Sequence, residues 1–358
     1  MIAIDLFCGA GGLSLGMESI GVEVIIANEI EKDFATTYKI NHPHTLMFNQ
    51  DVHEINFQDE VAKLNKTNMV DLVCGGPPCQ GFSTVGKKNY QDKRNSLFWE
   101  FLRVVSEVNP KYVLFENVAG FKNMYSGQAY LTLKDELEKL GYAVKSSILD
   151  AADYGLPQKR LRTIVAAWKD KNKEFYFPEP THVNKKDLIS SNKYLSLIDA
   201  ISDLPALESG QEKNTYLSEP KNDYQKLLRG NEKALTEHNA SNYGIKMQEI
   251  LRLVPVGGCV NDLPLELRPK SYFANTYARL LPNQPSPTIT RNFGTPSSSR
   301  CIHPHQNRAL STREGARLQG FPDYYKFYGA KGSKNLQIGN AVPPILGKVI
   351  AESFLKLK

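Results

Sequence analysis

The chain has 358 residues, of which 41% are hydrophobic and 23% charged, and its formal net charge is +6. This length allows one large domain and a smaller one, and no apolar run is long enough to span a membrane. Five widely spread cysteines argue against a disulfide framework and favour a reducing compartment. No Cys-x-x-Cys or paired Cys/His spacing occurs, so no metal site is predicted. A strand-like segment at the first residues leaves no room for a signal peptide, and we expect a cytoplasmic protein.

The charges are unevenly distributed along the chain. Residues 1–180 have a net charge of −3, residues 181–278 have none, and residues 279–358 carry 12 Lys/Arg against three Asp/Glu. This excess of nine positive charges predicts that a polyanion lies against the last fifth of the chain. A solvated basic surface is the alternative interpretation.

The first elements form a strand, a glycine turn and a helix. Residues 2–7 read as a strand that breaks at Cys8 to Gly12, and apolar residues then recur at helical spacing. Such a turn lets the backbone approach a nucleotide-like ligand closely. A second strand ends in Glu29, where an acid would hold a ribose diol, although an acid at a helix start is also favoured by the macrodipole. Asp51 follows a further extended segment and is a candidate for binding an adenine amino group.

The stretch Gly75 to Ser83 (GGPPCQGFS) is the main candidate for chemistry. It follows a buried strand-like run at 69–74, and its two prolines make the loop stiff and non-helical. Cys79 therefore stands just past the carboxyl end of a strand, where open α/β sheets bind their ligands. A buried cysteine in a turn is the alternative. The polar, basic stretch 84–94 that follows is a candidate for a mobile lid.

The remaining pattern predicts alternating helices and strands. They are a helix around 97–105, a strand at 111–115, a helix at 128–140 and strands at 143–149 and 163–168. This alternation predicts an α/β protein with a doubly wound, mostly parallel sheet. Regular periodicity fades from Lys169 to Lys246, which indicates a separate irregular domain. Ser311 and Glu314 then form a predicted capping box, and an apolar helix runs through Leu355.

Several polar groups stand where the predicted strands begin or end. Besides Cys79, they are Glu116 at the end of a neighbouring strand and the paired arginines Arg160 and Arg162. Cys79 has no obvious histidine base, which argues against acyl transfer of the cysteine-protease type. A thiolate with a nearby carboxylic acid suits conjugate addition to an electron-poor ring.

At these motifs the chain resembles a DNA (cytosine-5) methyltransferase of the bacterial restriction–modification type. The matching segments stand in family order: DLFCGAGGLSLG (5–16), GGPPCQGFS (75–83), ENV (116–118), QKRLR (158–162), RLLPNQPSPTIT (279–290) and QIGNAVPP (337–344). The resemblance fails in the middle of the chain, where that family varies to choose its target. It implies the class I S-adenosylmethionine-dependent methyltransferase fold, with a catalytic and cofactor-binding domain at 1–178 plus 308–358 and a target-recognition domain at 179–307.

The resemblance also implies residue roles. Cys79 is the nucleophile that attacks C6 of cytosine, Glu116 holds N3 and the exocyclic amine, and Arg160 and Arg162 lie beside the base. The methyl donor is S-adenosyl-L-methionine, and the product is S-adenosyl-L-homocysteine. The implied cofactor-binding residues are Phe7, Gly9, Gly11, Gly12, Leu13, Glu29, Ile30, Asp51, Val52, Pro78, Asn340 and Val342.

The implied partner is double-stranded DNA, from which the cytosine must be flipped before a thiol can reach C6. We expect a monomer that acts at the bacterial nucleoid without a membrane. A cognate restriction endonuclease would be a functional partner without a stable complex. Two alternatives stay open: a tRNA cytosine-5 methyltransferase on the same fold, and a DNA-binding regulator that has lost the chemistry. The intact Cys79, Glu116, Arg160 and Arg162 argue against the regulator.

Overall fold

The computed structural model describes residues 1–64, 69–78, 93–183, 192–297 and 300–357. It divides into two compact units. The first comprises Met1–Asp150, Leu161–Glu179 and Leu346–Lys358, and the second comprises Ala151–Arg160 and Pro180–Ile345. These units are defined by packing, whereas the domains in the sequence analysis are defined by function, so the functional limits stay a prediction.

The first unit is built on a seven-stranded sheet. Its strands are β1 (Ile2–Leu6), β2 (Glu23–Asn28), β3 (Leu46–Phe48), β4 (Leu72–Gly75), β5 (Tyr112–Val118), β6 (Ala143–Asp150) and β7 (Leu161–Trp168). Across the sheet they follow the order β3-β2-β1-β4-β5-β7-β6. The strands from β3 to β5 pair in parallel, and β7 runs antiparallel to both β5 and β6. The predicted α/β class and mostly parallel sheet are confirmed.

Helices cover this sheet and close its core. They are α1 (Gly12–Glu18), α2 (Lys32–Asn41), α3 (Phe57–Leu64), α4 (Lys93–Val108) and α5 (Gln128–Lys139). The predicted apolar stripe at 97–105 lies on α4, and Phe98 and Phe101 of that stripe are buried. Both rings meet Phe115 of β5 edge-on, at centroid distances of 6.2 and 5.4 Å. Burial of each such side chain contributes about 1.5–3 kcal/mol, which holds β5 against α4.

The second unit has less regular structure. Its helices are α6 (Leu197–Ile201), α7 (Asp223–Arg229), α8 (Ile245–Leu253), α9 (Thr312–Leu318) and α10 (Lys331–Asn340), and its short strands are β8 (His182–Val183) and β9 (Asn192–Lys193). The last helix, α11 (Pro344–Leu355), runs from the second unit into the first. The predicted capping box is confirmed at the start of α9, where the Glu314 amide donates to Ser311 Oγ at 3.1 Å and the Ser311 amide donates to Glu314 Oε2 at 2.8 Å. Within the described ranges, no helix combines the length and the apolarity that crossing a membrane requires.

Several arginines of the last fifth of the chain lie in the interior. Arg279, Arg308, Arg313 and Arg317 are all buried. Arg308 forms a bidentate ion pair with Glu314, with both N–O distances at 2.7 Å. These four arginines are therefore not available for direct contact with a polyanion, and the prediction that a polyanion lies against this segment stays a prediction.

Candidate active site at the carboxyl edge of the sheet

One edge of the sheet collects the polar groups that the sequence singles out. Parallel strands end at the same edge, and this edge is where open α/β sheets bind ligands. The residues that end or follow β1 to β5 there are Phe7, Glu29, Asp51, Gly76 and Glu116. Because β7 runs antiparallel, it begins at this edge and pairs Arg162 with Val118 at the end of β5. The reversed strand thus delivers an arginine to the carboxyl ends of its neighbours.

Glu116 and Arg162 form an ion pair there. Arg162 Nε lies 2.8 Å from Glu116 Oε1, and the two side chains are 12% and 10% exposed. A charge-assisted hydrogen bond of this kind fixes the orientation of the carboxylate. The structure therefore brings together two of the four predicted catalytic residues and leaves a small part of each accessible.

The backbone that leads into the Cys79 loop is tied to β5. At Gly76 a Cβ atom would lie 2.7 Å from Glu116 Oε2, so only glycine permits this approach without a shift. The side-chain amide of Asn117 donates to the Pro77 carbonyl at 3.0 Å. The sequence analysis did not single out Asn117, although its position beside Glu116 at a strand end was a signal. Cys79 and residues 84–92 of the predicted lid lie outside the described residues.

Glu29 braces the glycine turn after β1. The Gly9 amide donates to Glu29 Oε2 at 3.0 Å, and the Glu31 amide donates to Glu29 Oε1 at 2.9 Å. Burial raises the pKa of Glu29, while these backbone amides act in the opposite direction. Phe7 has a φ of 55° and Gly9 a φ of 57°. Apart from its two chain neighbours, no atom of the described residues lies within 4 Å of the position that a Cβ of Gly9 would take, so this face of the turn is not packed against them.

The other predicted cofactor residues of the first unit differ in exposure. Ile30 is 62% exposed and follows Glu29, which is 9% exposed. Asp51 caps a short 3₁₀ turn by accepting from the His53 amide at 3.1 Å, and its side chain is 45% exposed. Pro78 is exposed as well. The four remaining positions, Gly11, Gly12, Leu13 and Val52, are buried.

A buried acid below the turn was missed by the sequence analysis. Asp5 of β1 is 1% exposed and accepts from Ser14 Oγ of α1 at 2.6 Å, and Ser14 Oγ accepts from the Tyr38 hydroxyl of α2 at 2.7 Å. Burial raises the pKa of Asp5 to about 7, despite the Ser14 hydrogen bond, which lowers it. These two hydrogen bonds link β1 to α1 and α1 to α2. The signal for Asp5 was an acid between apolar residues of a buried strand.

The second unit contains Arg160, Asn340 and Val342. Arg160 is 1% exposed, and its Nη2 donates to the carbonyls of Gly339 at 2.8 Å and Ala341 at 2.9 Å. These are the two chain neighbours of Asn340, whose own side chain is exposed. The described bonds of Arg160 thus support the turn that presents Asn340, and its predicted place beside a base stays a prediction.

Comparison with known proteins agrees with this arrangement. Residues 1–356 match the family described as C-5 cytosine-specific DNA methylase. The chain is 38% identical to the Type II methyltransferase M1.HphI of Haemophilus parahaemolyticus, over 99% of this chain and 86% of that protein. It is 34% identical to the Type II methyltransferase M.AgeI of Thalassovita gelatinovora, over 99% of both chains.

Solved structures show the same fold. A structure described as a DNA modification methyltransferase encoded within an E. coli prophage is 27% identical and superposes with a TM-score of 0.79, covering 100% of this chain and 99% of the other. The S. pombe Dnmt2 methyltransferase is 19% identical, with a TM-score of 0.62 and coverage of 100% and 99%, which shows likeness of fold. The chain belongs to the C-5 cytosine-specific DNA methylase family, and its reaction is the methylation of cytosine at C5.

Proposed function

We propose that this chain is the methylase of a type II restriction–modification system, and that Cys79, Glu116 and Arg162 form its reacting centre. The observation that carries the proposal is the Glu116–Arg162 ion pair, which stands at the same sheet edge as the glycine turn braced by Glu29. The similar type II methyltransferases supply the biological setting.

The order of bond changes follows from the chemistry of cytosine. C5 is a poor nucleophile until the Cys79 thiolate adds to C6, because the addition moves the electrons of the C5–C6 double bond onto C5. S-adenosyl-L-methionine, when bound, supplies an electrophilic methyl group for C5. A base then removes the C5 proton, and the electrons of that C–H bond restore the C5–C6 double bond as the bond from C6 to sulfur breaks and the Cys79 thiolate leaves. A thiol with an ordinary pKa of about 8.5 is only partly ionised at neutral pH, so nearby positive charge assists the first step.

Glu116 and Arg162 act on the pyrimidine edge. An ionised Glu116 accepts a hydrogen bond from the exocyclic amine of cytosine, and a protonated Glu116 donates to N3 as negative charge develops there. Arg162 holds one carboxylate oxygen in place for either role. Positioned proton transfer of this kind is worth about 10²- to 10⁴-fold in rate. Arg160 supports the reaction from the second unit, through the two carbonyls on either side of Asn340.

The residues of the glycine turn suit a nucleoside cofactor. Both oxygens of Glu29 already accept backbone hydrogen bonds that fix their direction, and a carboxylate held in this way suits the two hydroxyls of a ribose. The exposed Ile30 next to it offers an apolar contact for an adenine ring. We assign the adenine amino group to Asp51, packing to Phe7 and Val52, and the methionine part to Gly9, Gly11, Gly12 and Leu13. Pro78, Asn340 and Val342 are assigned to cofactor binding by the family resemblance alone.

The partner in this proposal is double-stranded DNA with one cytosine flipped out of the stack. The chain acts as a monomer at the nucleoid in the bacterial cytoplasm, where its substrate is found. A restriction endonuclease of the same specificity acts on the same sites without a stable complex.

The test compares substrates and traps the covalent step. Transfer of a radiolabelled methyl group to duplex DNA, but not to unmodified tRNA, is expected from the wild-type chain. DNA that carries 5-fluorocytosine should form an adduct stable to denaturation with the wild type and none with the matched variant Cys79→Ser. Transfer to tRNA alone would contradict the DNA substrate, and tight DNA binding without an adduct would indicate a regulator.

A further inference from the structure

Two asparagines join the loops that follow the neighbouring strands β2 and β3. The side-chain amide of Asn28 donates to the carbonyls of the two chain neighbours of Asn49, at 3.1 and 2.9 Å. In return, the side-chain amide of Asn49 donates to the carbonyls of Glu29 and Ile30, both at 2.9 Å. A side-chain amide has two N–H donors, so each asparagine uses both of its donors on the opposite loop. We name this reciprocal pair, Asn28 and Asn49, the asparagine clasp.

The sheet by itself holds the loop after β3 only weakly. β3 has three residues and stands at one end of the strand order. Within the described ranges it pairs with β2 alone, from Ile26↔Leu46 to Asn28↔Phe48. One further backbone bond, from the Glu29 amide to the Phe48 carbonyl at 3.1 Å, extends this pairing. The four bonds of the clasp therefore supply most of the side-chain support that links the two loops.

Asn28 is the fixed member of the clasp. It is 2% exposed, and both of its side-chain donors are satisfied, so its rotamer is set by burial and bonding together. Its backbone carbonyl also accepts from the Cys8 amide at 3.1 Å, which ties the glycine turn to the same residue. Asn49 is exposed and closes the clasp from the solvent side. Asn28 thus contacts the loops that follow β1 and β3 from its own place at the end of β2.

The two loops carry the acids that the proposed function assigns to one ligand. Glu29, whose carbonyl accepts from Asn49, is assigned to the ribose diol. Asp51, which follows the carbonyl bound by Asn28 at Gln50, is assigned to the adenine amino group. A nucleoside is a stiff ligand with these two groups at opposite ends. Both acids can therefore bind it fully only if their separation is fixed before the ligand arrives, which is the general advantage of preorganisation.

We propose that the asparagine clasp sets the distance between Glu29 and Asp51, so that the pocket selects ligands that carry both a ribose diol and an adenine amino group. Asn28 and Asn49 are positioning residues, because they act through the two acids. This inference rests on the proposed function, in which Glu29 and Asp51 bind the cofactor. Loss of either asparagine removes two hydrogen bonds, and affinity for S-adenosyl-L-homocysteine is expected to fall about 5- to 150-fold.

The experiment measures ligand selectivity of the full chain by isothermal titration calorimetry. The ligands are S-adenosyl-L-homocysteine, its analogue without the ribose 2′-hydroxyl, and its analogue with hypoxanthine in place of adenine. Wild type should bind each analogue more weakly than the parent compound. In Asn28→Ala and Asn49→Ala both affinity ratios should shrink towards one, because ordering the loosened loop cancels part of the gain from the second group. A general loss of stability would weaken all three ligands alike and leave the ratios unchanged.

Two further variants separate the clasp from other effects. Asn49→Asp keeps the size of the side chain but cannot donate, so it should behave like the alanine variant. Asn41→Ala is the matched control: it also removes an amide-to-carbonyl bond, to Thr37 at 2.8 Å, but within α2 rather than between the two loops. It should keep the wild-type ratios. In steady-state kinetics the clasp variants should raise KM for S-adenosyl-L-methionine while kcat at saturating cofactor stays within twofold.

The outcomes distinguish this inference from the proposed function. If wild type discriminates against both analogues and the clasp variants discriminate equally well, the clasp does not set the spacing, and this inference alone is overturned. If wild type binds all three ligands equally, the assignment of Glu29 and Asp51 in the proposed function fails, and the inference fails with it. If Asn28→Ala does not fold, the exposed Asn49→Ala and Asn49→Asp decide in its place.

Discussion

The first and second units use the same chemical pair, a guanidinium and a carboxylate, in different ways. In the first unit Arg162 and Glu116 are 12% and 10% exposed, and Arg162 Nε lies 2.8 Å from Glu116 Oε1. In the second unit Arg308 and Glu314 are each 1% exposed, are joined by two bonds of 2.7 Å, and Glu314 also caps α9. The comparison teaches that accessibility, rather than the pair itself, separates the proposed reacting group from a structural one.

The largest effect is expected at the accessible pair. Glu116→Gln keeps the shape of the side chain but removes its charge and its ability to transfer a proton. We expect kcat for methyl transfer to fall by about 10²- to 10⁴-fold. The loss of unfolding free energy should be about 1–3 kcal/mol, because the glutamine oxygen can still accept a hydrogen bond from Arg162 in this largely buried pair. Steady-state kinetics and urea unfolding of the same preparation measure both quantities. If the pH–rate profile of Glu116→Gln shows no loss of rate relative to wild type, Glu116 takes no part in proton transfer.

The buried pair should respond in the opposite way. Glu314→Gln leaves the Arg308 charge without its partner in the interior, which costs about 3–5 kcal/mol of stability. Burial alone would raise the pKa of Glu314, but the Arg308 guanidinium overrides burial and holds this pKa well below its usual range. The stabilisation is therefore present above the unfolded-state pKa of Glu and is lost as the pH falls towards the lowered value. Urea unfolding should show that the difference in unfolding free energy between wild type and variant is smaller at low pH than at pH 7. A difference that stays constant with pH would contradict a lowered pKa of Glu314.

A third carboxyl, Asp5, sharpens the comparison because it is buried without an arginine among its described contacts. The pKa of Asp5 is about 7 in the folded chain, compared with an ordinary value of 3.8. Between these two pH values the folded state retains a proton on Asp5 that the unfolded state releases. Stability should therefore decline by up to about 1.4 kcal/mol per pH unit between about pH 4 and 7. Asp5→Asn removes this pH dependence of stability. In urea unfolding, the free energy of unfolding of the variant relative to that of the wild type should therefore rise from pH 5 to pH 8. Parallel pH profiles of the two proteins would show that Asp5 is already ionised in the fold.

The smallest effect is expected at Asn117, which contacts the loop rather than the substrate. Asn117→Ala removes the hydrogen bond to the Pro77 carbonyl, worth about 0.5–1.5 kcal/mol. We expect kcat to fall by up to about tenfold while KM for DNA stays within twofold, because the loop that carries Cys79 loses one anchor. Asn117→Asp, which keeps the size but cannot donate to the carbonyl, should behave like the alanine variant. Wild-type kinetics in both variants would show that Pro77 needs no such anchor.

Local patterns predicted most of the elements around the sheet. Apolar runs of β length and the glycine turn after β1 are local signals, as are the helical stripe on α4 and the capping box of α9, because each depends on residues a few positions apart. The motifs also identified the family and pointed to Glu116 and Arg162 as site residues. The burial of Arg308, Arg313 and Arg317 could not be predicted, since counting charges does not reveal which arginines are buried in the fold.

The sequence by itself determined the α/β class, the family and the types of group that stand at the strand ends, because these follow from periodicity and from short motifs. The tertiary structure alone decided that β7 is reversed, so that Arg162 reaches Glu116 across the strand pair. It also decided that Arg160 binds the carbonyls on both sides of Asn340, and that Asp5 lies buried below the glycine turn. The physical reason is that strand direction, burial and hydrogen-bond partners arise from contacts between residues distant in sequence, which no local pattern records.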